Sequence, residues 1–383
     1  MTAPMAAPRL TAPRLTAPRL LFVVNNPAFF LSHRLPVAQA ARAAGFEVHV
    51  ATPSGDGVTA ILAHGFAHHA FYMRRGGRNP LQELRAMASL ARVVAAVRPE
   101  IVHAVTIKPV LYAGVLAQLF GADSVSAVSG LGYVFLARGA RAAVLQRAVR
   151  QAYRLALRRS CVIFQNEDDR AVFIAMGAVR FEQTVLIRGS GVDLRAFARE
   201  PQPESEPVVM LPSRLLWDKG VGEFVAAARA LRGAARFVLV GESDASNPAS
   251  VPPADIAKWV QQGVLEHWGF RADMPAVLAQ AALVVLPSYR EGLPKVLLEA
   301  QAVGRAVVTT DVPGCRDAVS SASARLVPVR DAEALTRAIA ELLAAPERRA
   351  AMGAAGRARV EAQFSAEAIA AETVAVYRGL VGQ

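Results

Sequence analysis

"ALVVLPSYREGLPKVLLEAQAVG", residues 282–304, reads as a strand, a loop and a helix in immediate succession. The apolar, β-branched run stops at Ser288, and the segment from Lys295 onward carries the spacing of a helix. Pro294 suits the first helical position, where its missing N–H costs nothing. Glu291 then stands in the loop at the carboxyl end of the strand, and Glu299 about five residues into the helix, roughly 7–8 Å along its axis. Both carboxylates could touch one elongated ligand. The amides and helix dipole around Gly292, Leu293 and Pro294 favour a phosphate or a sugar hydroxyl, and Gly292 lets the backbone come close. Spacing by itself fits a surface helix charge and an ordinary loop carboxylate more readily than a ligand site.

The same strand-then-helix unit recurs along the chain. "RLLFVVNN", "FEVHVAT", "PEIVHAVT", "DSVSAVSG" and "SCVIFQN" are strand-like in the first half, "PVVMLPSR", "ARFVLVGE", "VLEHWGF", "ALVVLPS", "AVVTTDV" and "ARLVPV" in the second. Helical patterns lie between them, the rhythm of parallel α/β sheets. At 383 residues the chain suits two domains of about 150–200 residues each. The expected organisation is a disordered Pro-rich arm over 1–19, a Rossmann-like domain over 20–200 and a linker over 201–207 inside "REPQPESEP". A second Rossmann-like domain covers 208–363. A C-terminal helix over 364–383 either closes it or crosses back to the first. Parallel sheets bind ligands beyond the carboxyl ends of their strands, so two such domains facing each other place a site in the cleft between them.

Composition narrows the classes. The residues are 53% hydrophobic, yet no apolar stretch reaches the ~20 residues of a spanning helix. Two cysteines, Cys161 and Cys315, make neither a disulfide framework nor a zinc site, which fits a reducing cytoplasm. The threefold A-P-R-L repeat of the first twenty residues lacks the continuous apolar core of a signal peptide. The formal charge of +12 is uneven: residues 1–200 hold 24 Lys and Arg against 11 Asp and Glu, residues 201–383 hold 19 against 20. The first half is thus expected to meet something anionic. In "ARAAVLQRAVRQAYRLALRRS", Arg147, Arg150, Arg154 and Arg158 form one helical stripe opposite Leu145, Val149, Ala152 and Ala156. A solvated charged face would look the same; with the charge asymmetry, anionic lipid headgroups are the favoured partner. No nucleic-acid module accompanies the arginines, so nucleic acid is not expected.

"SRLLWDKG", residues 213–220, follows the first strand of the second domain. Arg214 and Lys219 emerge at a carboxyl strand end, where two cations can hold a diphosphate without a metal. His103 is read as following the strand "EIV" and pointing to the cleft, although a lone histidine there is commonly structural.

The stretch from "SRLLWDKGV" through "FVLVGE" and "HWGFRADMPAVLAQAALVVLPSYREGLPKVLLEAQAVGRAVVTTDVPG" resembles the donor domain of the retaining GT-B glycosyltransferases of family 4, with Glu291 and Glu299 matching its E-x7-E motif. "PEIVHAVTIKP" and "SAVSGLGYVF" resemble the branch that extends lipid-linked glycans in bacterial polysaccharide and glycoprotein pathways. The resemblance implies a GT-B fold and a UDP-sugar donor. Arg214 and Lys219 would bind the diphosphate, Glu299 the ribose hydroxyls and Glu291 the donor sugar. Gly269, Phe270 and Arg271 would border the nucleobase, and His103 would lie near the donor sugar. Lys108 is an acceptor or phosphate contact by the same resemblance, and His33 a first-loop contact, in a loop reading "NNPAFF" where the family has paired glycines. No cofactor or metal is implied, and the acceptor is a lipid-linked saccharide. The enzyme is expected in the cytoplasm, peripheral on the inner face of the membrane. A sugar-nucleotide 2-epimerase, or a non-catalytic binding protein for nucleotide sugars or polyanions, would fit the same two-domain pattern. A dehydrogenase would not, since "LLFVVNNPAFF" lacks G-x-G-x-x-G after the first strand.

Overall fold

The computed structural model describes residues 17–74, 79–128, 130, 140–203, 205–244 and 247–382, without the side chains of 140–145. Residues 1–16 of the expected arm, most of "GLGYVF" and the Leu145 side chain lie outside the described residues. The chain divides into two compact units: residues up to Ile187 together with Ile369–Gln383, and Arg188–Ala368. Each is built on one parallel sheet, the two Rossmann-like folds expected.

The first sheet contains β1 (Arg19–Val24), β2 (Glu47–Thr52), β3 (Ala67–Ala70), β4 (Ile101–Val105), β5 (Asp123–Val128), β6 (Ser160–Phe164) and β7 (Thr184–Leu186). Their order is β3-β2-β1-β4-β5-β6-β7. The second contains β8 (Val208–Pro212), β9 (Arg236–Val240), β10 (Glu266–His267), β11 (Leu283–Leu286), β12 (Ala306–Thr310) and β13 (Ala324–Val327), in the order β10-β9-β8-β11-β12-β13.

Near-continuous apolar strands follow from burial on both faces, as parallel sheets require. Along β1, Leu20, Phe22 and Val24 join one core, and Leu21 and Val23 join the core on the opposite face. In β8, Val208 and Met210 face one way, Val209 and Leu211 the other. This is the period-two alternation of a strand, buried twice.

The C-terminal helix, Ala366–Val381, packs in the first unit. Ile369, Ala370, Val374, Tyr377 and Val381 recur at helical spacing and are buried with Phe22 and Phe30. Residues 188–202 stay with the second unit. Arg305, fully buried, donates to the carbonyls of Glu200 (3.2 Å), Pro201 (2.7 Å), Leu278 (3.3 Å) and Ala279 (2.9 Å). A buried guanidinium is tolerated when such acceptors surround it, and these four strap the start of the expected linker to the sheet unit that follows it. No helix among the described residues is long and apolar enough to cross a membrane.

Candidate active site

Strand order in the second sheet reverses between β8 and β11, and a crevice outside the carboxyl ends of the strands opens at such a switch point. The loops that leave these two strands are stitched together. Gly220 has φ +74°, and a Cβ there would stand 2.2 Å from the Pro287 carbonyl oxygen. Gly241, which follows β9 and has φ +133°, would place one 1.9 Å from the Ser213 oxygen, so the loop after β9 packs as closely on the loop after β8. Only glycine permits both the left-handed backbone and the approach. The Tyr289 amide donates to the Asp218 carbonyl at 2.9 Å.

Within this stitch Lys219 and Glu291 form an ion pair, their side chains only 16% and 14% exposed. The Ser288 hydroxyl donates to the same Glu291 oxygen, Oε1, at 2.7 Å. Next to them the Tyr289 hydroxyl donates to Glu223 Oε1 at 2.8 Å. Burial, and then the Glu223 carboxylate, push Tyr289 up to about 12, so it remains a neutral donor that ties the loop to the helix Val221–Ala230.

A cavity of about 610 Å³ opens beside the ends of β8 and β9, within the size range of small-ligand sites. Its lining includes Arg214, Glu242, Asp244, Phe270, Arg271 and Glu299. Arg214 is 58% exposed and only loosely opposed by Asp244, at 3.9 Å. Glu299, one turn into the helix Lys295–Ala302, is nearly buried, and Lys295 Nζ lies 3.0 Å from its Oε1. At the rim, the Gly269 carbonyl accepts from the Gly241 amide at 2.8 Å. Phe270 stands 70% exposed. Arg271 forks onto Asp273 through Nε (2.8 Å) and Nη2 (2.6 Å); that hydrogen bonding holds the Asp273 carboxyl below the usual carboxylate range. The cavity therefore offers a cation, a carboxylate acceptor and an exposed aromatic face, a set suited to an anionic ligand bearing hydroxyls and a flat ring.

Other expected site residues are placed differently. Pro294 is the N-cap, with extended ψ of 110°, and Lys295 opens the helix. Gly292 is buried, and the Leu293 side chain belongs to the core of the second unit, so Leu293 presents backbone alone. His103 does not follow a strand: it sits inside β4, fully buried, because the strand continues through Val105. It stacks on Phe22 at 5.0 Å, and its Nδ1 is hydrogen-bonded to the Tyr377 hydroxyl at 2.5 Å. Burial, then the nearby Arg34 charge, hold its pKa well below that of an ordinary histidine. Lys108 donates to the Arg74 carbonyl (2.9 Å) and Glu83 Oε1 (2.8 Å). His33 stacks on Phe29 with centroids 4.1 Å apart and bonds Ser32 at 2.7 Å. These three belong to the first unit.

Lys295, Ser288, Asp244 and Glu242 were not singled out from the sequence. Lys295 stands four positions before Glu299, a legible helical ion-pair spacing; Asp244 and Glu242 carry no local signal. Among the described residues no group of three or more His, Cys, Asp or Glu could hold a metal ion.

The sequence model described as "Glycosyl transferases group 1" matches residues 206–345, and that described as "Glycosyl transferase 4-like" matches residues 19–167. A Campylobacter jejuni N,N'-diacetylbacillosaminyl-diphospho-undecaprenol alpha-1,3-N-acetylgalactosaminyltransferase is 28% identical over 317 residues, 76% of this chain and 82% of that protein. The sucrose-phosphate synthase of Thermosynechococcus elongatus superposes with a TM-score of 0.82 at 23% identity, over 95% of this chain and 99% of its own. The Anabaena protein HepE, solved in complex with UDP and glucose, superposes with a TM-score of 0.75 at 19% identity, over 94% and 98%. One parallel sheet in each unit, Glu291 in the switch-point loop with Glu299 in the helix that follows it, and two family matches that together span most of the chain lead to one assignment: this protein belongs to the group 1, GT4-like glycosyltransferases and has their GT-B fold.

Proposed function

We propose that the protein transfers a hexose, an N-acetylhexosamine, from a UDP-sugar to a lipid-linked saccharide with retention of anomeric configuration. The observation that carries this reading is the shared cavity of Arg214 and Glu299 at the switch point of the second sheet. Glu299 accepts from the ribose hydroxyls, Gly269, Phe270 and Arg271 border the base, and Glu291 holds the donor sugar. Arg214, Lys219 and the N-terminus of the helix Lys295–Ala302 receive the diphosphate. In the transfer step the bond from the anomeric carbon to the diphosphate oxygen breaks and the bond to the acceptor oxygen forms on the same face. The acceptor proton passes to the departing diphosphate oxygen. Cations aimed at that oxygen stabilise the charge developing on it, so no protein nucleophile and no metal is required.

The lipid-linked acceptor is supported by the Campylobacter relative, whose acceptor is an undecaprenol diphosphate saccharide. Surface chemistry supports a peripheral membrane contact through the first unit. Arg147, Arg150 and Arg158 are exposed. Arg154, also exposed, donates to the carbonyls of Met176 (2.9 Å) and Gly177 (3.1 Å), just past the helix Glu167–Ala175. Arg158 lies beyond the end of the helix Ala140–Ala156, so the expected four-residue helical stripe is reduced to Arg147 and Arg150, with Arg158 in the turn that follows. The Gln118 side-chain amide donates to the Leu155 carbonyl at 2.9 Å, which brings exposed Leu119, Phe120 and Leu155 together at the C-terminal ends of the helices Ile107–Phe120 and Ala140–Ala156. Basic groups with apolar neighbours suit the lipid interface.

The testing experiment offers a panel of radiolabelled UDP-sugars to the protein with a bacterial membrane extract. Label from a UDP-N-acetylhexosamine is expected in the lipid fraction. An epimerised nucleotide sugar formed without acceptor, or donor binding with no turnover on any acceptor, would overturn the proposal.

A further inference from the structure

Glu299 is 8% exposed and lies inside a helix, where backbone amides are already bonded to carbonyls one turn back. Among the described residues the Lys295 side chain reaches its carboxylate, with Nζ 3.0 Å from Oε1. Lys295 opens the helix Lys295–Ala302, a position where the macrodipole disfavours a cation. With the cation N-terminal to the carboxylate, the i,i+4 pair adds little to the stability of the helix. Each carboxylate oxygen has two acceptor sites. With one site of Oε1 taken by the ammonium, a site on each oxygen remains for the neighbouring hydroxyls of a diol.

We infer that Lys295 is a positioning residue that fixes the Glu299 carboxylate for a vicinal ribose diol; this rests on the donor reading above. The lysine acts through Glu299 and not on the phosphates. Its contribution then depends on the two hydroxyls being present, a dependence that neither a purely structural ion pair nor a direct phosphate contact would give.

The test is calorimetric binding of UDP and of 2′,3′-dideoxy-UDP to the wild-type protein and to Lys295→Met and Lys295→Arg. Loss of one hydrogen bond's orientation by a charged partner corresponds to about tenfold in affinity. Lys295→Met should weaken UDP by about that factor and leave dideoxy-UDP within about twofold, while Lys295→Arg recovers most of the UDP affinity. Equal weakening of both nucleotides would show the lysine acting on the phosphates and overturn the inference. So would unchanged binding of both, whether or not the melting temperature falls. Failure of the wild-type protein to bind UDP at all would overturn the donor reading and this inference with it, and is recognisable before any variant is made.

Discussion

Lys219 and Glu291, 72 positions apart in sequence, are ion-paired at the point where the loops after β8 and β11 meet. Arg214, by contrast, is largely exposed and opposed only at 3.9 Å. The two cations expected on the diphosphate thus start from different states: one must exchange a carboxylate for its ligand, and the other is nearly unengaged.

Lys219→Ala and Arg214→Ala should each lower kcat by about 10²–10³-fold, the usual loss for one strong contact to developing charge. Only Lys219→Ala should also destabilise the fold, by about 2 kcal/mol, because it leaves the mostly buried Glu291 with Ser288 but no cation. Urea denaturation beside steady-state kinetics checks this. Equal stability of the two variants would mean the pair is not maintained in solution.

Glu299→Ala should act mainly on donor binding, raising donor KM with kcat changed far less, since a ribose contact is made alike in ground and transition states. A kcat loss with unchanged KM would place Glu299 at the reacting centre instead.

Activity should survive EDTA if, as proposed, Arg214 and Lys219 neutralise the departing diphosphate in place of a metal. Assay after exhaustive chelation decides it; abolition with rescue by Mn²⁺ or Mg²⁺ would contradict the metal-free step.

Stability should fall in mild acid. The folded-state pKa of His103 is depressed by burial, so below about pH 6.5, where the unfolded side chain takes up a proton, the unfolded state binds more protons than the folded one. The contribution is fully present above that pH and is lost at up to about 1.4 kcal/mol per pH unit as pH drops toward the folded value. Chemical denaturation at pH 7 and pH 5 should show a steeper loss for the wild-type protein than for His103→Gln, and identical slopes would contradict it.

Much of this was legible in the sequence, for reasons that also explain what was not. Buried parallel strands such as "RLLFVV" and "LVVL" announce themselves because both faces are apolar. The edge strands β3, "AHHA", and β7, "TVL", do not. They are short, and their side chains are only partly covered, so no hydrophobic run marks them. Glu291, Arg214 and Lys219 could be placed because strand ends fix where a loop residue emerges. His103 could not, since the strand's end at Val105 is set by pairing with β1 and β5 rather than by any local signal. Arg154 and Arg305 likewise have partners in other elements, and a stripe or a linker read locally cannot include them.

Anomeric configuration of the product tests the central claim most directly. The protein would be given a UDP-α-N-acetylhexosamine and a polyprenol-diphosphate saccharide, and the new linkage read by NMR from its anomeric coupling. An α-linked N-acetylhexosamine on the lipid-linked saccharide, lost on Arg214→Ala, is the predicted result. A β-linked product, or the nucleotide sugar returned unchanged or epimerised with no transfer to the lipid, would contradict it.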